Sequence, residues 1–244
     1  MSRFLVLIPM LLLLASCGSE KIIFLYPDEQ MDMTLRNMRT PTVYIDAITD
    51  MRPLSQRSGE GHFFKIKYPK DESWFRPATE IYAAALVQDV KQTHLVEIVS
   101  MRSEADYVLS ADLLSMGCEF KRSAGSFLIP TAVGMGAGMA LGEDASSRLS
   151  TGVALSLLAI LAIPMPSHNQ AEAEVRLTLK NLQGDVLWQE SCLGQYDDRV
   201  YASATARQDP QYVDEFLTVA VKRCNACLVG QIRQVLIELS SDSK

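Results

Sequence analysis

The sequence predicts an α+β fold: a small mixed or antiparallel sheet with two packed helices, interrupted by a hydrophobic helical hairpin. Three observations carry this. Ala171, Ala173, Val175, Leu177 and Leu179 alternate with Glu172, Glu174, Arg176, Thr178 and Lys180, the period of a strand with one buried face. Apolar residues recur at helical spacing after Pro77 and again after Pro210. Between these blocks lie two uncharged stretches, residues 123–142 and Leu149 to about Gln170, separated only by Glu143-Asp144-Ala145-Ser146-Ser147-Arg148.

The chain opens with Arg3 and a short apolar run through Leu14, ending at Ala15-Ser16-Cys17. A basic start, a short apolar stretch and small residues before the cut mark residues 1–16 as a secretory signal peptide, too short to span a bilayer. Leu14-Ala15-Ser16-Cys17 resembles the lipobox of bacterial lipoproteins. The resemblance implies cleavage between Ser16 and Cys17 and acylation of Cys17, so the only attached group expected is that covalent lipid. In such lipoproteins Gly18, rather than an acidic residue, after the cysteine implies the outer membrane. Residues 17–40 are polar and methionine-rich without clear periodicity and read as a lipidated tether.

One α+β domain follows, formed by residues 41–122 and 171–244 and expected in the periplasm. Val43 to Ile48 predicts a first strand, stopped at Asp50-Met51-Arg52-Pro53. Residues 54–61 read as a loop. His62 to Tyr68 alternates with lysines, as an edge strand would. Pro77 suits the first position of a helix whose apolar face is Tyr82, Ala83, Leu86, Val87 and Val90. Residues 94–99 read as a short strand and Ala105 to Leu114 as a longer one, continuing through Cys118 to Arg122. Beyond the hairpin, Asn181 to Asp185 is a turn and Val186 to Cys192 the returning strand. Residues 194–209 read as a loop. A long helix then places Val213, Leu217, Ala220, Cys224, Leu228, Ile232 and Val235 on one face.

Residues 123–170 read as the inserted membrane-type hairpin. Each arm is about 20 residues, enough to cross a bilayer. Gly134, Gly138 and Gly142 share a face of the first arm, and Gly152 and Ser156 repeat the spacing in the second. Small residues at this interval let helices approach closely in lipid. Each glycine would cost a helix about 1 kcal/mol in water. A core hairpin of a soluble domain and a flap over a ligand pocket are the alternative readings.

The net charge of −6 and the absence of a basic cluster argue against nucleic acid as a partner. Four cysteines follow Cys17, in a compartment that permits disulfides. Cys118 and Cys192 form a candidate disulfide, with unpaired core thiols as the alternative. Cys224 and Cys227 lie in a CxxC motif, but mid-helix, where buried structural thiols are expected rather than a redox pair. His62, His94 and His168 are far apart in unlike contexts, so no metal site is expected. No GxSxG, HExxH or phosphate loop is present, and the chain reads as non-enzymatic.

Asp50-Met51-Arg52-Pro53 and Ala105-Asp106-Tyr107-Val108-Leu109 resemble two landmarks of small outer-membrane lipoproteins with a periplasmic α/β unit. Over residues 41–240 the layout is similar to the TraT surface-exclusion and complement-resistance lipoprotein family. CsgG-like secretion and transport-auxiliary lipoproteins share parts of it. The TraT resemblance implies a homo-oligomeric ring, each subunit placing one hairpin in the outer membrane, with membrane lipid and other envelope proteins as partners. A transport-auxiliary or ligand-binding role is the alternative.

Overall fold

In the computed structural model, residues 21–28, 33, 39–59, 61–62, 65–141, 143–162, 165–202 and 212–242 are described. The expected signal peptide with Ser16 and Cys17, and also Gly142, lie outside them.

The longest strands form an antiparallel meander: β6 (Tyr107–Arg122), β7 (Met165–Lys180) and β8 (Val186–Ala202). In register, Leu113 faces Val175, which faces Cys192. The opposite edge of β6 is shared by three short strands. β1 (Thr42–Ile45) and β2 (Thr49–Asp50) pair with it in parallel, and β4 (Lys65–Tyr68) pairs antiparallel near its end. β5 (Glu97–Val99) extends the sheet beyond β1, and β3 (Gly61–His62) beyond β4.

The alternation read from the sequence is what buries this sheet. Leu109, Ala111 and Leu113 of β6 are buried on one face, and Met116, Cys118 and Phe120 continue it after a bulge between Leu113 and Ser115. The bulge shifts the inward set from odd to even positions, as one extra residue in a strand must. The partners on β7 are Ala171, Ala173, Val175, Leu177 and Leu179, all buried. The other face of β7 carries Glu172, Glu174, Arg176 and Lys180, and is half-exposed.

Two helices cover the apolar face. After the single turn α1 (Leu54–Arg57), α2 (Ala78–Thr93) buries Ile81, Tyr82, Ala85, Leu86 and Val90. It ends at His94 in the left-handed region (φ 51°). A π-helical turn, Val213–Leu217, leads into the last helix. That helix buries Ala220, Val221, Cys224, Leu228, Val229, Ile232 and Leu236. Between β6 and β7 stand α3 (Leu128–Leu141) and α4 (Ala145–Ala162), and the last helix is α5 (Thr218–Asp242).

Several expectations are corrected. Among the described residues the sheet has eight strands and is not small. The hairpin gives up its last part, because β7 starts at Met165. Met165, Ser167 and Asn169 point inward there, but small and polar residues hide the period in the sequence. Residues 194–202 are strand rather than loop, carrying Asp197, Asp198 and Arg199 on an edge open to water. The first strand divides into β1 and β2. The cysteine pairing also differs: Cys192 bonds Cys227, while Cys118 and Cys224 remain thiols buried in the core. Cys118 and Cys192 stand on β6 and β8 with β7 between them, which keeps their sulfurs apart. Cys227 faces Cys192 because α5 crosses β8 there.

That crossing is close. A Cβ on Gly194 would lie 1.9 Å from the Ala220 carbonyl oxygen and 2.5 Å from the Cys224 nitrogen, so only glycine fits.

Candidate functional site

The feature that the core does not explain is the arm formed by α3 and α4. Arg122 and Ser167 are paired in the sheet, so both ends of the insertion leave one sheet end side by side. Ser123 caps the entry by accepting from the Ser126 N–H (3.2 Å), and Phe127 and Met165 plug the base. At the tip, the Asp144 carboxylate accepts from the Ser147 N–H (2.7 Å) at the start of α4. That N–H, and then the Ser147 hydroxyl, hold the Asp144 carboxyl below its ordinary range.

The two helices meet along the small residues. A Cβ on Gly134 would lie 2.3 Å from Ser156 Cα, and one on Gly138 would lie 2.1 Å from Gly152 Cα. Ser156 Oγ donates to the Gly152 carbonyl at 2.8 Å, within α4, and to the Thr131 carbonyl at 3.1 Å, across the seam. The small-residue faces are therefore closed within one chain.

Many side chains off that seam are exposed and apolar. Leu128 (70%), Leu141 (71%), Leu149 (61%) and Leu157 (57%) are exposed, as are Ile129, Val133, Met139, Val153 and Leu158. Helices apolar on all sides normally lie inside something. Yet the expectation that the arm crosses a bilayer gains no support: among the described residues no helix is long and apolar enough to cross a membrane. α3 has 14 residues and α4 has 18, about 21 and 27 Å at 1.5 Å per residue, against about 30 Å for a hydrocarbon core. The first turn of α4, with Ser146, Ser147 and Arg148, is polar besides.

The segment expected to be a tether lies on the domain over residues 21–28. Ile22 is buried and pairs with the backbone of Ser73 and Phe75 (2.8 and 3.0 Å). The segment runs from the start of α2 toward its end, and Tyr26 enters a polar cluster between α2 and α5. The Tyr26 hydroxyl bonds the Asp89 carboxylate. Lys222 Nζ and Asn225 Nδ2 each donate to it at 2.7 Å, and Tyr82 donates to Asn225 Oδ1 at 2.6 Å. Burial first, and then Asp89, raise the Tyr26 phenol far above its ordinary value. Burial also pushes the neighbouring Cys224 thiol up to about 11. This cluster is absent from the sequence reading because Asp89 and Asn225 look like ordinary polar helix residues until α2 and α5 are placed together.

Asp50-Met51-Arg52-Pro53 builds a second polar feature. The Arg52 side chain is 1% exposed and donates to Asp50 (3.0 and 2.8 Å) and Asp71 (2.7 Å), while Arg57 donates to Asp71 at 2.9 Å. Burial works against the Asp50 carboxylate, but the Arg52 hydrogen bonds and charge outweigh it and hold its pKa low. Among the described residues no group of three or more His, Cys, Asp or Glu is placed to hold a metal. His168 lies 3.4 Å from Asp197 on the exposed sheet face, and His94 caps α2.

No protein-family model matches the chain, and no curated protein matches it. Among solved structures it is similar to a DUF330 protein from Xanthomonas campestris, at 11% identity and TM-score 0.40, covering 88% of this chain and 98% of that one. It is similar also to a neuraminyllactose-binding hemagglutinin homolog from Helicobacter pylori, at 10% identity and TM-score 0.42, covering 92% and 100%. The lipoprotein GNA1162 from Neisseria meningitidis aligns at 9% identity and TM-score 0.24, covering 83% and 99%. These values establish neither a shared fold nor a shared function.

Proposed function

We infer that the chain is a lipid-anchored, non-enzymatic envelope protein of the periplasmic side, and that its arm builds a homo-oligomeric assembly. The observation that carries the reading is the arm's exposed apolar perimeter around a seam already closed within the chain. Such a surface exceeds what a monomer in water tolerates and marks an association site. The charged tip at Glu143, Asp144 and Arg148 disfavours an arm that ends inside hydrocarbon, where each charge would cost several kcal/mol. Arms from several copies packed side by side bury the flanks and leave the tips in water. The Cys17 lipid supplies the anchor at the outer membrane, and the assembly serves as a scaffold or gate there.

Cross-linking tests this directly. Val133→Cys, on an exposed flank, is expected to give disulfide-linked dimers under mild oxidation, whereas Gln183→Cys, in the β7–β8 turn, is not. Equal, weak cross-linking at both positions would reject arm-to-arm packing.

A further inference from the structure

A depression of about 370 Å³ lies where β2 ends and α2 begins, lined by Arg52, Arg57, Asp71, Trp74, Arg76 and Pro77, among others. Its lining carries both signs, Asp50 and Asp71 beside Arg52, Arg57 and Arg76. Arg52 Nη1 and Trp74 Nε1 are both buried and neither has a hydrogen-bond partner among the described residues. α2 starts behind Pro77 with no side-chain cap, so no side chain satisfies its first N–H groups. Arg76 is exposed and makes no ion pair among the described residues. The acceptors present are already engaged: Asp50 holds Arg52, and Asp71 holds Arg52 and Arg57. Three arginines against two aspartates leave one positive charge. Unpaired buried donors are costly, and an oxyanion that accepts from them removes that cost.

A second depression, of about 420 Å³, shares Phe75 and Arg76 with the first. Its walls are mixed: Ile22, Ile23, Phe24 and Ile81 give an apolar side, and Tyr26 and Gln88 a polar one. Phe75 and Ile23 are 65% and 60% exposed beside it. An arginine-rich pocket joined to a groove with one apolar side matches a molecule with one acidic head and one hydrocarbon chain.

The geometry points to a binding site for a single-chain acidic amphiphile, its carboxylate or phosphate in the Arg52–Trp74–Arg76 pocket and its chain along Ile22, Ile23 and Ile81. The site lies on the body of the domain and does not depend on the arm. Binding is measured on the Cys17→Ala chain without its signal peptide. Trp188→Phe makes Trp74 the only fluorescent indole. The probes, all below their micelle concentrations, are dodecanoate, dodecyl phosphate and uncharged dodecyl maltoside. Saturable, one-to-one binding of an acidic probe, at least tenfold tighter than the maltoside, is expected. A response to dodecanoate alone assigns a carboxylate ligand; a response to dodecyl phosphate alone assigns a phosphate ligand. Arg76→Gln should weaken the preferred probe at least tenfold without moving Tm, because Arg76 is exposed. Amphiphile bound nonspecifically to the arm would ignore that substitution. Equal binding of the uncharged probe, an unchanged Arg76→Gln, or no saturable change at Trp74 would overturn the site and leave water as the partner of these donors.

Discussion

Single residues decide how α5 is held on the sheet. Gly194 permits a backbone-to-backbone crossing that no side chain survives. Gly194→Ala is expected to destabilise the domain by about 1–3 kcal/mol through overpacking, seen as a lower Tm in thermal unfolding. An unchanged Tm would contradict the crossing. The Cys192–Cys227 bond closes a separation of 35 residues, and its removal in the double serine variant should cost about 3–4 kcal/mol. Thiol titration in denaturant of the Cys17→Ala chain should find two thiols, Cys118 and Cys224. The motif CxxC was legible, but the bond was not. A disulfide depends on which strand lies beneath α5, and strand order is not encoded in local spacing. Cys224 adds a pH dependence. Its folded pKa near 11 lies above the ordinary thiol value of 9.0, so the folded state keeps a proton that the unfolded chain loses. This contribution is complete below pH 9 and is lost as pH rises toward 11. Urea unfolding between pH 8 and 11 should show this decline, reduced in Cys224→Ala.

At the scale of elements, the arm was the most legible part, and its destination the least. Gly134, Gly138, Gly152 and Ser156 announce close helix contact through their spacing alone, and they stand on the seam. The same pattern does not say whether the contact lies in lipid or in water, since only helix length and the residues off the seam decide that. Counting uncharged residues overstated the arm, because Met165 to Gln170 are uncharged yet belong to β7. Gly138→Leu should force the helices apart, as its Cβ already meets Gly152 Cα. The expected readout is faster proteolysis within residues 128–162 with little change in the Tm of the body, because the arm makes few contacts beyond its base. A parallel loss of Tm would show that the arm and body fold as one unit.

For the whole molecule, the two strongest sequence periods, in β7 and α5, correctly gave an α+β layer pair. The extent of the sheet was hidden where β8 becomes an edge, since Gln195 to Arg199 carries the charges and polar groups usual in loops. The N-terminal segment read as a tether because the apolar run Ile22 to Tyr26 is short and shows no strand or helix period, and only α2 and α5 together make a place for it. What remains outside the packed body is the arm, and the assembly reading depends on it. The most direct measurement is light scattering after size exclusion, in plain buffer and in detergent, of the Cys17→Ala chain. Beside it runs a variant in which a short turn joins Arg122 to Met165. Association of the intact chain into a defined multimer, with the armless variant a folded monomer, is expected. A monodisperse monomer for the intact chain in plain buffer would contradict arm-driven assembly.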